Sequence, residues 1–319
     1  MHHCNLLVGI ASSGGDWIAL SEGGGVGLRT SPSYRQRRLG VELRRLRESA
    51  SLSSYELAAR LGMKQPQLSH IEAGRTTIGA DRLRTLASEC RISDATLIGA
   101  LVDMEQDSGK GWWSEYRGRL RPSLLDLAEL EASAQTLTCY EPMFVPGLLQ
   151  TEAYATAIHR RGYARATNDE HDLAVEFRMR RQRVLTGQRP PHLHAIVHEA
   201  ALHPSLGDQD VMREQLQRLI EASRSPQVTV QILPFDGPVP FGTSFTLIEP
   251  PVRELSTVIV AHVEKSLYLG DAEAVVKYRS LFARLREAAL PPVDAAVPPE
   301  AHAAKDSLGL IQRLLYPLL

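Results

Sequence analysis

The chain has 319 residues, of which 43% are hydrophobic and 23% charged, with a net charge of −1. This suits a globular protein of about two domains on the usual ~150-residue scale. No run approaches 18 apolar residues, which excludes a membrane-spanning helix and leaves a cytoplasmic setting as the expectation.

Three cysteines, Cys4, Cys90 and Cys139, show no CxxC spacing, so neither a zinc site nor a disulfide framework is expected. The charge is unevenly spread. Residues 33–91 hold 12 basic and 6 acidic side chains, a net of +6 that leaves −7 for the remainder. A basic segment on an acidic body points to nucleic acid at one end of the chain; a solvated basic face is the plainer alternative. Lysine occurs only at positions 64, 110, 265, 277 and 305, and this arginine bias fits a GC-rich bacterial genome.

Residues 1–32 contain Ser12-Ser13-Gly14-Gly15 and Gly23-Gly24-Gly25. So little apolar surface cannot offset the entropy of ordering, and a flexible tail is expected. It lacks the basic start and long apolar run of a signal peptide.

A helical period then takes over. Leu39, Leu43 and Leu46 make one stripe on a first helix. Ser53 or Ser54 can cap a second, with Glu56 in its first turn and Leu57, Ala58 and Leu61 inward. Gly62 ends it. A third helix is expected over 64–73 on a core face of Leu68 and Ile71, stopped by Gly74. A fourth over 81–89 (core Leu83 and Leu86) and a fifth over 93–103 (core Leu97 and Leu101) complete an all-α domain at 33–104. Asp107-Ser108-Gly109-Lys110-Gly111 reads as a linker.

Beyond the linker, helices are expected over 112–137, 148–160, 169–186, 211–223 and 272–289. Strands are expected over 192–198, 228–233, 244–248 and 257–264, from alternation and β-branching. The fold class is thus an all-α five-helix domain followed by a mixed α/β domain at 112–290. Residues 291–319 form a Pro/Ala segment and an apolar tail that can dock as a helix.

The segment SYELAARLGMKQPQLSHIEAGR (54–75) carries the strongest signal. Two short helices joined by a tight glycine turn hold the second at a fixed angle, and its N-terminal residues can meet base edges in the major groove. Lys64, Gln65, Gln67 and His70 project outward, and Gln or Lys contacts of this kind carry about 1–3 kcal/mol of base discrimination each. With its flanking helices the segment resembles the Xre/lambda-repressor family of helix-turn-helix domains. The resemblance implies Gln65 and Pro66 near bases at the helix start, and Gln67 and His70 one turn along. It implies phosphate contacts from Ser54, the Gly74 amide and Arg75. It also implies a structural Arg47–Glu72 ion pair, with Gly62, Leu68 and Ile71 supporting the reader. Lys64 departs from the usual Ser or Thr cap; as a cation at the positive end of a helix dipole it is unfavourable unless DNA supplies negative charge. A frayed helix start is the plain alternative, and Pro66 is tolerated in a first turn.

In the second domain, YEPMFVPGLLQTEAYA (140–155), RMRRQRVL (178–185), HEAAL (198–202) and VQILPF (230–235) resemble the domain of unknown function that accompanies Xre-type readers in actinomycete regulators. The resemblance implies an antitoxin-like transcription regulator encoded beside a small partner protein. Leu148, Leu149, Tyr154 and Ile158 read as a core stripe. Arg178, Arg180, Arg181 and Arg183 crowd one helix and could pair with the acidic body, contact an acidic partner or touch DNA; a solvated, salt-bridged face is the leading expectation. His192, His194 and His198 share a strand face beside Glu199 and His203, yet no HExxH supports a metal. Lys265-Ser266 make a poor dyad for self-cleavage. No cofactor, metal or catalytic residue is expected. The leading expectation is a homodimeric regulator binding double-stranded DNA. The alternatives are an antitoxin-like adaptor working mainly through a small protein encoded nearby, and a metal-dependent hydrolase.

Overall fold

A computed structural model describes residues 28–161, 167–203, 208–237, 243–261, 266–296 and 305–319. The expected tail at 1–32 lies outside the described residues except for 28–32. The chain divides into two compact units at Glu129/Leu130.

The first unit is helical. Helices α1 (Tyr34–Ser49), α2 (Ser54–Arg60), α3 (Gln65–Glu72), α4 (Ala80–Glu89) and α5 (Ala95–Gln106) follow in order. Three of them, α1, α2 and α5, begin on side-chain caps. Ser33 and Gln36 form a capping box on α1, Ser53 and Glu56 one on α2, and Asp94 caps α5 through the amides of Thr96 and Leu97. These side chains satisfy amides that a helix start leaves orphaned. Gly62 and Gly74 hold φ of +63° and +72°, a region open to glycine without steric cost. Leu43, Leu57, Leu68, Leu83, Leu86 and Leu101 are fully buried and form the centre of the core.

The helix expected over 112–137 is instead three elements: a 3₁₀ turn at Trp112–Tyr116, helix α6 (Pro122–Ala132) and strand β1 (Thr136–Glu141). Gly118 at φ +74° breaks the first stretch. Pro122 then supplies a helix start, and TLTCYE, β-branched and alternating, extends. The residues up to Glu129 group with the helical unit, not with the domain expected from 112 onward.

The second unit is built on a six-stranded mixed sheet. After β1 come α7 (Glu152–Arg161), α8 (Asn168–Arg181), β2 (His192–His198), α9 (Gln209–Ala222), β3 (Val228–Leu233), β4 (Phe245–Glu249), β5 (Thr257–Val260), β6 (Leu267–Leu269), α10 (Ala272–Ala288) and α11 (Ser307–Leu315). The strand order is β3-β2-β1-β4-β5-β6. Strands β1, β2 and β3 are parallel neighbours, and the other pairs are antiparallel. The parallel part follows from the helices between its strands, since a parallel return needs a crossover. One face packs Tyr140, Ile196, Leu233, Phe245 and Val258 against Val275, Phe282 and Leu285 of α10. The other face is buried too, through Leu137, Leu193, Ala195, Val197 and Ile232.

The sequence expectation missed β6. The end of the strand expected over 257–264 lies partly outside the described residues. The segment after α10 docks along the edge of β3: the Leu290 amide donates to the Ile232 carbonyl (2.9 Å) and that of Val293 to Val230 (2.8 Å). The Ser307 hydroxyl accepts from the Ile232 amide at 2.9 Å. With Leu308, Leu310 and Ile311 buried, α11 packs on α9 and β3. Leu290, Val293 and Ser307 thus cover a sheet edge that would otherwise present unpaired backbone.

Candidate nucleic-acid interface

The reader begins at the junction of α2 and α3. Ser53, not Ser54, is the cap of α2: its hydroxyl accepts from the Glu56 amide at 3.2 Å, and Glu56 accepts from the Ser53 amide at 2.8 Å. Hydrogen bonds to its carboxyl from the Ser53 hydroxyl and the Ser53 amide hold Glu56 below the ordinary carboxylate range. Ser54 is thereby free to face α3. Its hydroxyl accepts from Gln65 Nε2 at 3.3 Å, and the Ser69 hydroxyl accepts from the same nitrogen at 2.9 Å. Gln65, the first residue of α3, is therefore fixed by two hydroxyls before any ligand arrives. With its amide donors engaged, its Oε1 is the group left to accept a further hydrogen bond.

Lys64 occupies the cap position of α3 with φ −80° and ψ 145°, and its side chain makes no capping bond. Lys64, Pro66 and Gln67 are exposed, while Gln65 and His70 are half-buried. Leu68 and Ile71 point the other way, into the core. The helix end is a Schellman-type turn: the Gly74 amide donates to the Ile71 carbonyl and the Arg75 amide to the His70 carbonyl, both at 2.9 Å. The resemblance placed the Gly74 amide on a phosphate. In the structure this donor is turned back onto the helix by the positive φ, leaving the exposed Arg75 side chain as the cationic group at this end.

Two packing features hold α3 against α1. Arg47 donates to Glu72 twice, Nε to Oε1 at 2.7 Å and Nη2 to Oε2 at 3.0 Å, and a third bond reaches the Leu52 carbonyl at 2.9 Å. The Glu72 carboxylate raises the Arg47 pKa above its usual value. Gly40 sets the closeness of the crossing, since a Cβ there would lie 2.4 Å from the Glu72 carbonyl oxygen. Sequence reasoning missed Gly40. The available signal was a glycine inside a helical period, which costs about 1 kcal/mol relative to alanine and so marks a packing need.

In the second unit, the segment YEPMFVPGLLQTEAYA is a stapled connection after β1. Gln150 donates to the Val145 carbonyl (2.7 Å), Gln182 to the Gly147 and Gln150 carbonyls (2.9 and 2.8 Å), and Gln215 to the Leu149 carbonyl (2.9 Å). Leu148, Leu149, Tyr154 and Ile158 are buried. The arginine cluster is not a uniform solvated face. Arg178 is buried and donates to Gln150 Oε1 at 2.6 Å. Arg181 pairs with buried Glu131 at 2.8 Å. Only Arg183 of the four is exposed. A helix covered on several sides can bury cations on a face that its charge pattern alone assigns to water.

The histidines are engaged separately. His194 bonds to Gln231 at 2.6 Å and meets Phe282 edge-on, while His198 Nδ1 accepts from the Ala200 amide at 3.0 Å. His203 lies 3.5 Å from Glu199, whose other oxygen accepts from the Phe235 amide at 2.9 Å. Among the described residues no group of three or more His, Cys, Asp or Glu side chains could hold a metal ion. No helix of the described residues is long and apolar enough to cross a membrane.

Comparison with known proteins finds two matching segments. Residues 38–97 match the family model described as a helix-turn-helix domain. Residues 124–297 match the one described as a domain of unknown function, DUF5753. No curated protein and no solved structure matches the chain. Since the second match spans more than half of its length, the chain belongs to the DUF5753 family, and it carries a helix-turn-helix domain ahead of that segment.

Proposed function

We propose that this protein is a sequence-specific regulator of transcription that reads the major groove of double-stranded DNA with α3. The observation that carries the reading is the start of that helix. Gln65 is held by Ser54 and Ser69, with Lys64 and Gln67 exposed beside it and Arg75 exposed beyond the far end. A side chain fixed before binding loses little entropy when it meets a base. Exposed cations at both ends of the helix supply the phosphate attraction that gives affinity without sequence information. Lys64, unfavourable against the helix dipole, becomes favourable once phosphate lies over it.

The same reading takes the protein as a cytoplasmic homodimer on paired half-sites about one helical turn apart. The second unit supplies dimerisation and the response to a ligand or to a small partner protein. Its work is binding, with no catalytic step assigned. The direct test is a gel-shift of the full chain on DNA upstream of its own gene, titrated with salt. Specific retardation that weakens linearly in log salt supports the reading. Folded protein that binds this DNA no better than unrelated DNA overturns it.

A further inference from the structure

The turn that follows α3 is backed by the N-terminus of α1. A Cβ at Gly74 would lie 2.7 Å from the Gln36 carbonyl oxygen and 2.9 Å from the Arg37 amide nitrogen. On its other side the Arg75 carbonyl accepts from the Arg29 amide at 2.9 Å. Gln36 and Arg37 thus pack directly behind the turn that carries Arg75.

Those residues are held by acids from outside the helix-turn-helix match. The Tyr34 amide, at the start of α1, donates to Asp126 Oδ1 at 3.0 Å, and the second oxygen of Asp126 lies 3.7 Å from the Arg37 guanidinium. Arg35 donates to Glu129 Oε1 at 2.6 Å, both side chains being 12% exposed, and also to the Met104 carbonyl near the end of α5. Asp126 and Glu129 both stand on α6, beyond residue 97 and inside the DUF5753 match. Asp126 satisfies an amide that the Ser33 capping box leaves open and places negative charge at a helix N-terminus, where the dipole favours it.

We propose that Asp126 and Glu129 are positioning residues for DNA binding, which fix the start of α1 and through it the Gly74–Arg75 turn, so that the phosphate grip of the reader depends on α6. This inference rests on the DNA-binding reading above. It predicts a selective defect. Without the two acids α3 still presents Gln65, because Arg47–Glu72 and Ser54 hold that helix from elsewhere, but Arg75 loses its fixed place.

The test is a salt-titrated gel-shift with the full chain carrying Asp126→Ala and Glu129→Ala, alone and combined with Arg75→Ala. The acid variants are expected to weaken specific binding about tenfold and to lower the salt slope by about one, as loss of one phosphate contact does. They should leave discrimination at the Gln65 base position unchanged and add little to Arg75→Ala. Asp126→Asn, which keeps an acceptor for the Tyr34 amide, should retain most of the affinity. Unchanged affinity in the acid variants overturns the proposal. So do losses that add in full to those of Arg75→Ala at an unchanged slope, the signature of general destabilisation. Amide exchange in free Glu129→Gln protein is the second measurement: the Tyr34 and Arg75 amides should exchange faster together, and an unaltered Arg75 amide overturns the proposal. If the wild-type chain binds no DNA specifically, the functional reading itself fails, a result distinct from either of these.

Discussion

Arg47 and Glu72 join α1 to α3 through two parallel charge-assisted hydrogen bonds, each side chain only 9% exposed. Parallel bonds of this kind fix direction as well as distance. The pair sets the angle at which α3 is carried.

Removing one partner leaves the other charge buried without compensation. Glu72→Ala is expected to cost about 3–5 kcal/mol of stability in the helical unit. Urea unfolding followed through Trp112 and Trp113 is the measurement, and a midpoint equal to wild type would show the pair to be idle. Replacing both by well-packed apolar residues should cost much less.

Gly40→Ala forces a methyl against the Glu72 carbonyl, so α1 and α3 must part. A loss of about 1–3 kcal/mol is expected, as for overpacking in general. Gly99 lies in α5 with nothing within 4 Å of an added Cβ. Gly99→Ala should instead raise stability by about 0.4–1 kcal/mol, through lower entropy of the unfolded chain. Opposite signs from the same chemical change would tie the effect to the helix crossing.

On the DNA-binding reading, Gln65→Ala should relax preference at one base position by about 1–3 kcal/mol. Arg75→Ala should weaken all sequences alike and lower the salt slope by about one. Ser54→Ala removes one of the two hydroxyls that hold Gln65, so it should erode the same base preference while leaving the slope unchanged. Binding to a set of single-base operator variants at two salt concentrations separates these outcomes.

The second unit should respond to pH in two directions. Burial, with the Arg178 charge and His171 adding to it, pushes His159 down to about 3. The folded state thus keeps this ring neutral where the unfolded chain protonates it, and stability falls as pH drops from about 6.5 toward 3. Burial pushes Glu141 up to about 8 against the opposing pull of Arg178. The folded state then holds a proton that the unfolded chain has released, and stability falls as pH rises from about 4.5 through 8. Urea midpoints between pH 4 and 8.5 should trace both limbs. His159→Phe should flatten the acid limb and Glu141→Gln the alkaline one; limbs unaltered in these variants would assign the slopes to other groups.

The pair of short helices around Gly62 was legible without any structure because its determinants are local. The Leu57–Ala58–Leu61 and Leu68–Ile71 spacings, the Ser53–Glu56 box and two glycines at positive φ all act within a few residues of themselves. The same holds for β2 and β3, whose alternation states a buried face directly. Tertiary structure alone decided the rest. Periodicity could not show that 112–137 breaks into a turn, a helix and the central strand, since that break depends on a sheet assembled from distant segments. Charge pattern could not show that Arg178 is buried against Gln150, or that Arg35 meets Glu129 across 94 residues. A polar side chain's partner is chosen by where the chain returns in space, and spacing along one helix carries no record of that.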